Sequence, residues 1–218
     1  MVLVARRQEP LAAAAAEITG LGGTAGWVCA DLATRDGTRR AAEEAAAVFG
    51  EPDVLVSCAG VNLRPPLDDL DEQVWDTTLA VNLTAPFLLG QRFGPAMAAR
   101  GFGRIVHVSS QQASRAFADS GAYGVSKGGV EALARSQAEA WSRSGVTVNT
   151  LVPGFVPTPL NARLAADPAR VGALAARTLA GRNGVPADFA GAAVFLAGRS
   201  SAYVTGQALH VDGGFSVH

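Results

Sequence analysis

Only two cysteines, Cys29 and Cys58, occur in the 218 residues. That excludes a disulfide framework and a thiolate-built structural metal site, and each cysteine reads as a buried thiol. Aromatic residues are sparse, and no apolar run approaches the roughly 18 residues that a membrane-spanning helix needs. Charge of one sign is missing as well: 18 Lys and Arg face 19 Asp and Glu, for a net charge of -1. The doublets Arg6-Arg7 and Arg39-Arg40 are too isolated to form a phosphate track, which argues against a nucleic-acid partner. The opening MVLVARRQEP places its charges after the apolar residues and has no small-residue cleavage pattern. It does not read as a signal peptide, so the expected location is cytoplasmic.

What is present is a chain of ordinary globular composition, 49% hydrophobic with 25 glycines, long enough for one domain over 1–218. Continuous apolar runs at Val2–Ala5, Gly26–Ala30, Val54–Ser57, Ile105–Val108, Thr147–Val152 and Ala208–Val211 read as strands. Between them lie helical segments: Pro10–Ile18, an alanine-rich helix over Ala41–Phe49 behind a Thr34 cap, a long helix over Glu72–Arg100, and Phe189–Ala197. Strands that are apolar throughout and alternate with helices indicate a doubly wound parallel sheet, an α/β Rossmann-like fold. His107 and His210 fall inside strands and read as core residues, and His218 as a tail.

The chemistry-bearing stretch is RIVHVSSQQASRAFADSGAYGVSK, Arg104 to Lys127. It reads as a strand ending in Ser109-Ser110, a polar loop, and a helix opening near Tyr123. Positions i and i+4 share a helix face, so Lys127 can approach Tyr123, and a nearby cation lowers a phenol's pKa. Ser110 stands at a strand's carboxyl end, where open parallel sheets place their ligands.

Tyr123-x-x-x-Lys127, the upstream Ser110, Asn82 in a Val-Asn-Leu context, Pro153-Gly154 and the terminal GQALHVDGG resemble the short-chain dehydrogenase/reductase family in order and spacing. The resemblance implies Tyr123 as general acid/base, Lys127 as the cation serving it and the nicotinamide ribose, and Ser110 as donor to the reacting oxygen. Asn82 is implied to kink its helix and order a water. Cofactor contacts are implied for Pro153, Gly154, Val156 and Thr158 at the carboxamide, Asp31 at the adenine, and Cys58, Ala59 and Gly60 at the adenine ribose. Arg6, where an acid would select NAD, points to NADP(H), with NAD(H) as the alternative. The segment from Thr158 to Asn183 resembles the gluconate 5-dehydrogenase-like branch, which implies a sugar acid or polyol among secondary alcohol and ketone substrates. Gln111, Gln112, Arg115 and Asn161 are the expected polar contacts to such a substrate. The enzymatic rival is a 3-oxoacyl thioester reductase.

The family's first strand and its glycine-rich turn have no counterpart in this sequence. One expectation is that the natural chain starts about 30 residues upstream, the size of a strand-helix unit. If it does not, the Val2–Cys29 strands must pair with the Val54 strand or leave a gap in the sheet. A non-catalytic subunit or interaction partner is the corresponding rival function. Val130, Leu133, Ala134, Ala138 and Trp141 give the Tyr123 helix more apolar surface than one sheet face needs. A homo-oligomer is therefore expected, a dimer through that helix, with a tetramer implied by the resemblance.

Overall fold

A computed structural model describes residues 1–217. Six strands and the helices between them follow in order: β1 Val2–Ala5, α1 Gln8–Gly20, β2 Gly26–Cys29, α2 Arg35–Phe49 and β3 Val54–Ser57. Then come α3 Glu72–Leu79, a π-helical turn Ala80–Thr84, α4 Ala85–Ala99, β4 Gly103–Val108, α5 Gly121–Trp141 and β5 Val146–Pro153. The short α6 Ala162–Ala165, α7 Pro168–Ala176, α8 Ala190–Ala197 and β6 Ala208–Val211 complete the fold. All pairings are parallel, as the uninterrupted apolar strands require. The described residues contain no helix long and apolar enough to cross a membrane.

The sheet is divided. β1 pairs with β2 alone, while β3, β4, β5 and β6 form a four-stranded sheet in that order. Of the two arrangements expected for this sequence, the structure adopts the gap. Its effect on burial is direct: Val54 and Val56 of β3 are 38% and 53% exposed, whereas Val146 to Val152 of β5 are all buried. Cys29 and Cys58, at the ends of β2 and β3, are exposed, contrary to the buried thiols expected; each of these strands lies at the edge of its sheet.

α2 joins the two sheets. Ala41 packs with Val28, Ala30 and Ala85 beneath the smaller sheet, and its neighbour Ala42 packs with Phe93, Met97 and Ile105 beneath the larger one. Small side chains at adjacent positions let one helix serve both clusters. Thr34 caps α2 as expected, its Oγ1 accepting from Gly37 N at 3.0 Å. On the outer surface Arg92 of α4 bridges Glu43 and Glu51, each at 2.7 Å.

Much of the apolar face of α5 packs within the chain. Ala134 and Ala138 pack with Phe93, Met97, Val146 and Val148, with Trp141 against the same cluster, and Val130 is 1% exposed. A Cβ on Gly94 of α4 would lie 2.4 Å from the Trp141 ring, so glycine is what lets the two helices close. Ala134, Ala138 and Trp141 thus pack against α4 and the sheet, while Leu133 stays partly exposed. His107 is buried as expected, its Nε2 paired with Gln137 Oε1 at 2.9 Å, but His210 is exposed because β6 is an edge strand. His218 lies outside the described residues.

Candidate active site

Ser110, Tyr123 and Lys127 meet at the carboxyl end of β4. Ser110 leaves the strand in extended conformation and its Oγ accepts from Gln112 N at 3.3 Å, opening a short 3-10 turn. The backbone then turns at Asp119 and Gly121, with φ of 55° and 36°, and α5 brings Tyr123 back to hydrogen-bond with Ser110. Lys127, one turn further on, is 5% exposed. Its Nζ donates to Val108 O at 2.7 Å and stands 5.7 Å from the centre of the Tyr123 ring.

Asn82 secures the floor. It is 1% exposed and lies within the π-helical turn Ala80–Thr84, so the expected distortion of this helix is present; such turns gather at functional sites. Its Oδ1 accepts from Val61 N at 2.9 Å, and its Nδ2 donates to Val61 O and Ser126 Oγ, both at 3.0 Å. Ser126 Oγ in turn donates to Tyr123 O at 2.7 Å. The amide of Asn82 thus joins the loop after β3 to the Tyr123 helix.

The electrostatics differ from those expected. Burial pushes the Tyr123 phenol up, and the Ser110 hydrogen bond and the charge of Arg64 oppose that only in part. Burial also lowers Lys127, to about 8, with Cys58 acting in the opposite direction. The ammonium is held by Val108 O 5.7 Å from the ring centre, and the charge of Arg64 also acts to lower the phenol. Arg64 is half-buried, donates from Nε to Asp119 O at 3.1 Å and also bonds Ala118 O. Desolvation lowers its own pKa, with Arg163 and Arg170 contributing in the same direction. The sequence reading missed this residue; its one signal was a lone arginine four positions after Gly60 in a proline-containing loop.

The residues expected at the cofactor occupy the carboxyl ends of the strands. Asp31 follows β2, its Oδ1 accepting from Ala33 N at 3.0 Å, beside a cavity of about 340 Å³ lined by Leu32, Ala33, Thr34 and Arg35 and by Leu79 and Ala80. Cys58, Ala59 and Gly60 follow β3. A Cβ on Gly60 would lie 3.3 Å from Asn82 Oδ1 and 3.8 Å from Lys127 Nζ, so only glycine leaves this approach to the ammonium free. Pro153 and Gly154 end β5, Gly154 N donating to Val211 O at 3.0 Å. Thr158 is partly buried, while the Val156 side chain is 8% exposed and packs toward Gly184. Arg6 is exposed at the end of β1. These residues fit the two ends of a dinucleotide. For its diphosphate, no glycine-rich turn entering a helix lies between β1 and β3 among the described residues.

Each of the four expected substrate contacts also bonds within the protein. Gln111 Nε2 donates to Asp212 at 3.1 Å, Gln112 Oε1 accepts from Ser120 at 2.8 Å, and Arg115 bonds Ser216 O. Asn161 accepts from Asn62 at 3.0 Å.

The family described as enoyl-(acyl carrier protein) reductase matches residues 1–216. This chain belongs to the short-chain dehydrogenase/reductase family. It is 39% identical over 169 residues to gluconate 5-dehydrogenase of Gluconobacter oxydans (strain 621H), covering 78% of this chain and 66% of that relative. It is 40% identical over 210 residues to D-threitol dehydrogenase of Mycolicibacterium smegmatis, covering 96% of this chain and 80% of the relative. A crystal structure of gluconate 5-dehydrogenase from Burkholderia cenocepacia J2315 in complex with NADP and tartrate superposes with a TM-score of 0.93 at 36% identity. It covers 100% of this chain and 85% of that one. Short-chain dehydrogenases of this kind act on CH-OH groups.

Proposed function

We propose that the protein is an NADP(H)-dependent oxidoreductase that interconverts a secondary alcohol and a ketone on a sugar acid or polyol. The observation that carries the sugar-acid reading is Arg64, a half-buried guanidinium whose charge acts on the Tyr123 phenol. A carboxylate a few carbons from the reacting centre can pair with it while the reacting oxygen meets Ser110 and Tyr123. Similarity to gluconate and threitol dehydrogenases agrees with a hydroxylated substrate.

In this mechanism Ser110 donates to the reacting oxygen and Tyr123 exchanges its proton with that oxygen. Lys127 is the cation serving Tyr123 and the nicotinamide ribose, and with Asn82 and Gly60 it shapes the wall beside the phenol. A bound nicotinamide supplies or accepts the hydride. Asp31, Cys58, Ala59 and Gly60 would hold its adenosine end, with Pro153, Gly154, the backbone of Val156 and Thr158 at the nicotinamide end. Arg6 would meet a 2'-phosphate. Replacing Arg6 with Asp is expected to raise the KM for NADPH at least tenfold and to leave that for NADH unchanged or lower. An unchanged ratio of the two constants would refute the assignment.

The substrate assignment is tested by assaying sugar acids, neutral polyols and 3-oxoacyl thioesters with NADP(H). Activity on an acid together with a KM raised about tenfold or more in Arg64→Met, without the same change for a neutral polyol, supports it. Activity confined to thioesters would reject it. The interrupted sheet favours a second reading, a non-catalytic subunit. NADPH titration of the folded protein separates the two: no fluorescence enhancement favours the subunit, and turnover abolished in a folded Tyr123→Phe variant excludes it.

A further inference from the structure

Asp212 is 9% exposed and belongs to the turn that follows β6. Its Oδ1 accepts from Gly214 N at 3.0 Å, and its Oδ2 accepts from Ser216 N at 2.9 Å and from Gln111 Nε2 at 3.1 Å. The first two bonds fold its own turn. The third reaches across the molecule to the residue that follows Ser110, which is itself 6% exposed. Three N–H donors converging on two oxygens suit an acceptor-only group, and an ionised carboxylate is one. Burial raises the Asp212 pKa, but the bonds from Ser216, Gln111 and Gly214 outweigh it and hold the pKa below the ordinary value.

The same residue touches the other side of the site. A Cβ on Gly154 would lie 2.8 Å from Asp212 Cα, so the turn after β5 and the turn after β6 are in direct backbone contact. Beyond Gln111 the C-terminal segment keeps to the polar loop: Phe215 stacks on Phe117 with ring centres 6.0 Å apart, and Arg115 bonds Ser216 O.

We propose that Asp212 is a positioning residue, which through Gln111 sets the Ser110 hydroxyl relative to Tyr123 and to the strand end at Gly154. The inference rests on the oxidoreductase reading for its catalytic consequence but not for its mechanical one. Gln111 continues directly into the 3-10 turn that Ser110 caps, so releasing its side chain frees the turn that orients the hydroxyl. Misplacing a reacting group by about 1 Å can cost 10² in rate.

The test uses Gln111→Met, which keeps size and loses the donor, beside Asp212→Asn and Gln111→Glu. Gln111→Met is expected to lower kcat about tenfold or more, with the KM for NADPH within twofold of wild type and thermal stability nearly unchanged. Amide hydrogen exchange should rise in the segments 110–117 and 212–217 and not in α5. In Gln111→Glu two carboxylates face each other, so kcat should fall further as pH rises and recover toward wild type when acid lets them share a proton. Wild-type exchange and kcat in Gln111→Met would overturn the proposal. So would a parallel loss of kcat and stability in every variant without the pH-dependent recovery. Should wild type turn over none of the substrates, the oxidoreductase reading fails, while the exchange measurement still decides whether Asp212 holds the Ser110 turn.

Discussion

Tyr123→Phe is expected to lower kcat by about 10³, within the range of a lost general acid or base, while NADPH binding and stability stay close to wild type. The ring is 7% exposed and its packing survives the change; only the hydroxyl bonded to Ser110 is removed. The pH dependence has a direction. Burial raises the phenol's pKa, so at neutral pH it is protonated and ready to donate during ketone reduction. Reduction should therefore hold at neutral pH and fall in alkali, whereas alcohol oxidation, which needs the phenolate, should rise with pH. Steady-state rates in both directions between pH 6 and about 10.5 check this; identical profiles in Tyr123→Phe would remove the residue from the reaction.

Lys127→Met should give the opposite separation, an inactive protein that is more stable. In the folded chain burial lowers this lysine to about 8 from the ordinary 10.5. Between these values the unfolded chain binds the proton and the folded chain does not, so the wild type gains stability from this group as pH rises from 8 to 10.5. Below pH 8 the whole penalty is present, about 3 kcal/mol from a shift of this size. Methionine removes it and gives up the bond to Val108 O, worth about 1 kcal/mol. Urea unfolding at pH 7 should show Lys127→Met more stable by about 1–3 kcal/mol, with the advantage shrinking toward pH 10.5. A variant less stable than wild type at pH 7 would contradict this account of the site.

The fold was legible where side chains and backbone say the same thing. β1, β3 and β6 coincide with their apolar runs: Arg6 ends the first, Asp53 precedes the second and Asp212 ends the third. The Ser110–Tyr123–Lys127 grouping was legible because a strand end and one helical turn determine it locally. Less visible was whatever depends on neighbours distant in sequence. The π-helical turn at Asn82 interrupts a helix that composition reads as continuous. Cys29 and Cys58 are exposed at the ends of edge strands, a placement that no property of cysteine announces. His210 follows from β6 lying at an edge. Arg64 sits in a loop, where periodicity carries no information, and its importance comes from proximity to a residue 59 positions later in the chain. The bond from the Lys127 ammonium to the Val108 carbonyl was not visible either, because it joins α5 to the end of β4.

The interrupted sheet carries a mechanical implication. Among the described residues the two strand groups share no ladder, and α2 is a common roof. Asp31 and Arg6 ride on one plate, Lys127 and Gly154 on the other. A molecule long enough to touch both plates would tie them together as a second strut beside α2. Heat resistance and protection from proteases should then climb together with occupancy, to a degree that a short fragment reaching only one plate cannot reproduce.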